Sequence, residues 1–182
     1  MKSSEFERRC RKIRVVITDI DGVLTDGGMY YSETGDELKK FNVRDGVGVV
    51  LMRLAGLKVG AMTGENIKLV KRRLRKIGID FFFTGVKNKK VCLDRYLSES
   101  GYSLEEVAFI GDEINDYCLL KKVGLFLAVA DAGRKIRDEA DCVLKTVGGG
   151  GVLREVAEIL LEAQQTYQDA LEQYVSKSED LG

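Results

Sequence analysis

The stretch Val15-Val16-Ile17-Thr18-Asp19-Ile20-Asp21-Gly22-Val23-Leu24-Thr25-Asp26-Gly27 decides the fold. Its apolar, β-branched opening predicts a buried strand. The strand ends in two aspartates one residue apart, followed at once by glycine. Ligands of an open α/β sheet gather at the carboxyl edge of the strands, so the chain delivers two carboxylates there and turns. Side chains at i and i+2 of a strand point the same way. Two like charges held together call for a cation or a shared proton. Oxygen ligands suit a hard divalent cation, and Mg2+ usually comes with a phosphate. Taken alone, Asp-Ile-Asp-Gly would read as a surface turn; the matching loops downstream give it another meaning.

Outward from this stretch, strand and helix patterns alternate. Lys58–Met62, Phe81–Phe83, Val107–Ile110, Leu125–Val129 and Asp141–Leu144 read as further strands, the last an edge. Helices are expected over Ser4–Lys12, Val47–Ala55, Ile67–Ile77, the stretch from about residue 90 to Ser100, and Val152 to about Ala163, with Asp45 as an N-cap. The alternation predicts a doubly wound parallel sheet. Met29–Phe41 reads as a β-hairpin around Glu33-Thr34-Gly35-Asp36, either a flap over the site or an oligomer contact. Gly148-Gly149-Gly150-Gly151 is a hinge or a loop of close approach. Residues 1–163 form one domain in this reading, and 164–182 a helical or flexible tail with a disordered end.

Composition narrows the function. The 182 residues carry 29 Lys+Arg and 29 Asp+Glu. That balance, with no basic tail, argues against a nucleic-acid partner. No apolar run is long enough for a membrane, and no signal-type core opens the chain, so a cytoplasmic protein is expected. Cys10, Cys92, Cys118 and Cys142 are scattered, fitting thiols in a reducing compartment. There is no histidine. Ser-His-Asp, Cys-His and phosphohistidine chemistry are therefore excluded.

Three more loops follow strands at the same predicted edge. Thr63-Gly64-Glu65-Asn66 offers a hydroxyl at a strand end, either an N-cap or a phosphate ligand. Val86–Lys90 opens a helix with lysines, which oppose the helix dipole unless they answer an anion; a plain surface role suits Lys87 and Lys90 better than Lys89. Gly111-Asp112-Glu113-Ile114-Asn115-Asp116 places three acids within five residues. One carboxylate can attack phosphorus, and a second can protonate the leaving oxygen and then activate water. Lysine, hydroxyl and Mg2+ can neutralise the phosphoryl oxygens. This set fits phosphoryl transfer without histidine. The basic helix with Lys68, Lys71, Arg72, Arg73, Arg75 and Lys76 is a solvated face or a means of recruiting an anionic substrate.

In order and spacing these residues resemble the four motifs of the haloacid dehalogenase superfamily of phosphatases, over residues 13 to about 163. The resemblance implies Asp19 as nucleophile, Asp21 as general acid/base, and Thr63 and Lys89 on the phosphate. It implies Mg2+ on Asp19, the Asp21 carbonyl oxygen and Asp112, with Asp116 in support. Asp21–Gly27, Phe41–Gly46, Ala128–Ala132 and Gly148–Val156 are further similar to the 3-deoxy-D-manno-octulosonate 8-phosphate (KDO 8-phosphate) phosphatases. Those are capless tetramers whose hairpins pack together and whose neighbouring subunits shape each site. No gap between the motifs here holds a cap-sized insertion. Gly22, Asp26, Arg44, Gly64, Glu65, Arg73 and Lys76 are the expected substrate-binding residues. The fourth motif reads Gly-Asp-Glu where the family usually has Gly-Asp-Asp. Glu65 stands where arginine is usual and resembles the related KDN 9-phosphate phosphatases, whereas Arg44-Asp45-Gly46 follows the eight-carbon pattern. The expected substrate is a small phosphorylated 2-keto-3-deoxy sugar acid, with the eight-carbon compound preferred. Glu65 would serve sugar hydroxyls, hold a cation from a neighbouring subunit, or merely favour a helix dipole. Similar domains also occur as structural, tetramer-forming appendages of sugar-nucleotide synthetases with eroded catalytic residues; the retained acids favour an enzyme. A phosphotransferase is a third reading, and the missing cap makes water the easier acceptor.

Overall fold

The computed structural model describes residues 4–35 and 37–179. The expected turn residue Asp36 and the expected disordered end, 180–182, lie outside them. Strand β1 (Val15–Thr18) is buried along its whole length. It pairs in parallel with β4 (Lys58–Met62) on one side and β6 (Val107–Gly111) on the other, Ile17 lying opposite both Gly60 and Phe109. Outside β4 lies β5 (Phe81–Phe83); beyond β6 come β7 (Leu125–Ala128) and the short edge strand β8 (Cys142–Val143). The sheet order is β5-β4-β1-β6-β7-β8, every pair parallel. The doubly wound α/β sheet expected from the alternation is the fold observed. Because all these strands run the same way, the loops after β1, β4, β5 and β6 open on one edge.

Helices cover the sheet. α1 (Ser4–Lys12) packs against α6 (Val152–Gln164), and α6 packs against α2 (Arg44–Leu54). The Gln164 side-chain amide donates to the carbonyls of Cys10 and Ile13 at 2.9 and 3.0 Å, tying the two ends of the fold together. α3 (Lys68–Lys76), α4 (Lys89–Ser100) and α5 (Arg134–Glu139) connect successive strands. Tail residues form α7 (Tyr167–Glu179), which lies on α2 and α6 and buries Ala170. Among the described residues no helix is long and apolar enough to cross a membrane.

Two local expectations change. Asp45 is not an N-cap: helix α2 begins at Arg44, whose N–H donates to the Asn42 side-chain oxygen at 3.0 Å. Asp45 instead accepts the Leu153 N–H at 3.0 Å, joining α2 to the start of α6. Thr63 caps no helix either, since α3 starts only at Lys68. Of the two readings for the glycine loop, the structure takes close approach. The Gly149 N–H donates to the Val23 carbonyl at 2.9 Å, and a Cβ on Gly148 would fall 2.1 Å from the Gly22 carbonyl oxygen. The loop after β8 is thus seated on the turn after β1.

Between β1 and α2 the hairpin forms as expected, from β2 (Tyr30–Tyr31) and β3 (Glu37–Leu38) in antiparallel register. Tyr30, Tyr31 and Leu38 are 54%, 70% and 64% exposed.

Candidate active site

Asp19 directly follows β1 and is buried. Its Oδ1 accepts the Ile20 N–H at 2.7 Å, and its Oδ2 lies 2.9 Å from the Lys89 ammonium. Lys89, at the start of α4, is also buried and bonds Asp116 as well. The α4 N-cap is Asn88, whose side chain accepts the Val91 N–H. That cap frees Lys89 to reach inward, while Lys87 is exposed and Lys90 pairs with Asp94. Asp112 and Asp116 come from the loop and 3-10 turn after β6. Asp116 Oδ2 accepts the Asp112 N–H at 3.2 Å, which shapes this loop.

Asp19, Asp112 and Asp116 each bring an oxygen within 4.8 Å of the others. Three carboxylates meet one ammonium, an excess of two negative charges. Burial, reinforced by the neighbouring Asp116 charge, pushes the Asp19 carboxyl up to about 7. Asp112 also rises to about 7, through burial and then the charges of Asp19 and Asp116. Lys89 moves up despite its burial, because Asp19 and Asp116 hold its proton. One Asp112 oxygen, Oδ1, is buried with no hydrogen-bond partner among the described residues. An unsatisfied hard oxygen within an excess of negative charge fits a divalent cation such as Mg2+. Gly22 leaves room for this: its φ is +84°, and a Cβ there would fall 1.9 Å from Asp112 Oδ2.

Asp21 lies outside this cluster. Its Oδ2 accepts from the Thr63 hydroxyl at 3.4 Å, and its Oδ1 bonds the Lys39 ammonium. Thr63, at the end of β4, is buried and also accepts the Glu65 N–H at 3.1 Å. Lys39 reaches Glu65 Oε2 at 2.8 Å as well. The Lys39 side chain is 1% exposed. Burial works against its charge, but the bonds to Asp21 and Glu65 outweigh it and raise its pKa. Lys39 is absent from the expectations drawn from sequence, and Glu65 takes its cation from this chain's own hairpin. The one signal available was the acid at position 65 beside Asp21, which demands a counter-ion nearby.

The other expected residues are spread around this centre. Asp26 is exposed, and the Gly28 N–H and the Lys40 ammonium hold its carboxyl below the usual range. A Cβ on Gly64 would sit in ordinary contact, 3.7 Å from the Val86 carbonyl oxygen. Arg73 donates to the Asn42 carbonyl at 2.6 Å and stands over the Phe41 ring. It lines a depression of about 490 Å³ with Lys39, Phe41, Leu69, Arg72 and Lys76. Arg44 does not join that group. Its side chain lies over Gly151 in a separate cleft of about 710 Å³ between α6 and the loop after β8.

Residues 78–156 match the model of the haloacid dehalogenase-like hydrolases. The 3-deoxy-D-manno-octulosonate 8-phosphate phosphatase of Escherichia coli is 39% identical over 168 residues, 92% of this chain and 89% of that protein. The chain belongs to the KDO 8-phosphate phosphatase family. A family crystal structure from Yersinia pestis aligns with a TM-score of 0.88 at 36% identity, over 91% of this chain and 89% of that one. The Moraxella catarrhalis family member, solved with a magnesium ion, a phosphate ion and KDO, aligns with a TM-score of 0.88 at 28% identity, over 92% and 97%.

Proposed function

We propose that this chain is an Mg2+-dependent phosphatase that converts KDO 8-phosphate to KDO and phosphate through an aspartyl phosphate on Asp19. The observation that carries this reading is the division of labour between two carboxylates. Asp19 is pinned by Ile20 and Lys89 within the acidic cluster, while Asp21 is held apart by Lys39 and Thr63. The names of its relatives supply the substrate, and their shared length supports carrying it over. Asp19 attacks phosphorus, the bond from phosphorus to the sugar oxygen breaks, and Asp21 gives that oxygen a proton. Asp21 then takes a proton from the water that attacks the acyl phosphate, returning Asp19 as a carboxylate. Lys89 and Thr63 balance the phosphoryl oxygens. Asp19, the Asp21 carbonyl oxygen and Asp112 would hold Mg2+, with Asp116 steadying Lys89 and the Asp112 backbone. Mg2+, when bound, neutralises charge on the transferring group.

Gly22, Asp26, Gly64, Arg73 and Lys76 border the substrate in this reading, whereas Glu65 is turned to Lys39. Arg44 would act from the side of the glycine loop. A homotetramer in the cytoplasm belongs to the same proposal. The exposed Tyr30, Tyr31 and Leu38 support association, and four cysteines present as thiols suit a reducing compartment.

Phosphate release from KDO 8-phosphate, with and without Mg2+, tests the assignment. Asp19→Asn is expected to keep its circular dichroism and lose at least ~100-fold in turnover, because an amide cannot form the acyl phosphate. Chelation is expected to stop the wild type and added Mg2+ to restore it. Full activity in excess chelator would refute the metal assignment.

A further inference from the structure

The hairpin is exposed along its strands, yet its base sends one side chain into the site. Leu38 is 64% exposed. Lys40 is exposed and, among the described residues, pairs with Asp26 at 3.3 Å. Between them, the Lys39 side chain is 1% exposed and its ammonium is shared by two carboxylates. Those carboxylates come from different loops, Asp21 after β1 and Glu65 after β4. Three separate segments therefore converge on one nitrogen. Among the described residues the other side-chain bond to Asp21, from Thr63, is long at 3.4 Å. A carboxylate that must deliver and then accept a proton works only from a fixed position.

We infer that Lys39 is a positioning residue for Asp21, and that Glu65 contributes by holding Lys39 rather than by touching the sugar. Glu65 supplies the second negative charge, so the ammonium is neutralised without Asp21 moving toward it. This makes position 65 part of the acid–base machinery and the hairpin base part of the active site. The inference rests on Asp21 being the acid and base of the proposed reaction.

The test compares Lys39→Met, Lys39→Arg, Glu65→Gln and Asp21→Asn. With KDO 8-phosphate, Lys39→Met is expected to lose about 10–100-fold in kcat with KM changed by less than about threefold, a loss within the range of general acid–base catalysis. Lys39→Arg is expected to recover part of that loss. Glu65→Gln is expected to fall in the same direction by a smaller factor, and the double variant to fall by less than the product of the two singles. p-Nitrophenyl phosphate separates the two half-reactions. Nitrophenolate leaves with its electron pair and needs no proton, so the phosphorus–Asp19 bond still forms, whereas water attack still needs Asp21. Asp21→Asn and Lys39→Met are therefore both expected to show a burst approaching one nitrophenolate per site, followed by slow turnover.

Wild-type kinetics in Lys39→Met, while Asp21→Asn shows the burst, would overturn the role of Lys39 and leave the proposed reaction standing. A raised KM at unchanged kcat would overturn it too, by making Lys39 a substrate ligand. No burst in Asp21→Asn would remove the covalent reaction and this inference together. If Lys39→Met fails to fold, Glu65→Gln carries the same test without disturbing the buried lysine. Full kcat in Glu65→Gln would then overturn the coupling.

Discussion

Asp45 is 1% exposed and accepts the Leu153 N–H on one carboxylate oxygen, while its other oxygen is buried with no hydrogen-bond partner among the described residues. Burial raises its carboxyl to about 6, against the opposing Leu153 bond and the Arg73 charge. A folded-state value above the unfolded one means that the folded chain holds the proton more tightly. The associated stability is fully present below the unfolded value of 3.8 and is lost as the pH rises through about 6. The loss is at most ~3 kcal/mol, from about 1.4 kcal/mol per pK unit. Asp45→Asn keeps an acceptor for Leu153 and has no charge to desolvate. Urea unfolding at pH 4 and pH 7 is expected to find the variant close to wild type at the lower pH and more stable by ~1–3 kcal/mol at the higher. Equal pH dependence in both proteins would show that Asp45 is solvated in solution.

Elements carry the site by touching one another. Gly148 rests on the turn that holds Asp19, Asp21 and Gly22, so a methyl group there must push the glycine loop off the turn. Gly148→Ala is expected to cost ~1–3 kcal/mol in thermal stability by overpacking and at least ~10-fold in kcat. Restoring activity by Mg2+ alone would argue that only metal affinity had changed. The strands of this arrangement were legible because each is a short apolar run closed by a polar turn, which also located Asp19, Thr63, Lys89 and Asp112 at one edge. Lys39 was not legible in the same way. It is one of two adjacent lysines in a polar hairpin, and only the folded pleat sends one inward and the other out. Asp45 misled for a related reason. An acid at a helix start has the composition of a cap whether it serves its own helix or, as here, the N–H of another. Contacts between residues 45 and 153, or 39 and 65, leave no periodicity behind.

The whole molecule leaves Tyr30, Tyr31 and Leu38 on one exposed hairpin, and the basic residues of α3 flank its base. A capless site needs walls, and these surfaces can provide them for another copy. Light scattering is expected to give the mass of four chains, and Tyr31→Glu with Leu38→Glu to shift it toward the monomer with loss of activity on KDO 8-phosphate. A wild-type monomer of full activity would exclude a shared site. The pairing of Gln164 with Cys10 and Ile13 has its own consequence, in the order of folding. β1 is the central strand, but its neighbours lie about 40 and 90 residues downstream, and the helix that closes over α1 lies farther still. Such non-local pairing slows folding, because loops must close before contacts reward them. During synthesis this buried strand waits unpaired until β4 and then β6 emerge, and the turn before it is sealed only when residue 164 arrives. The segment that will hold the nucleophile is thus made well before its partners, which leaves it exposed to mispairing on the way to the native state.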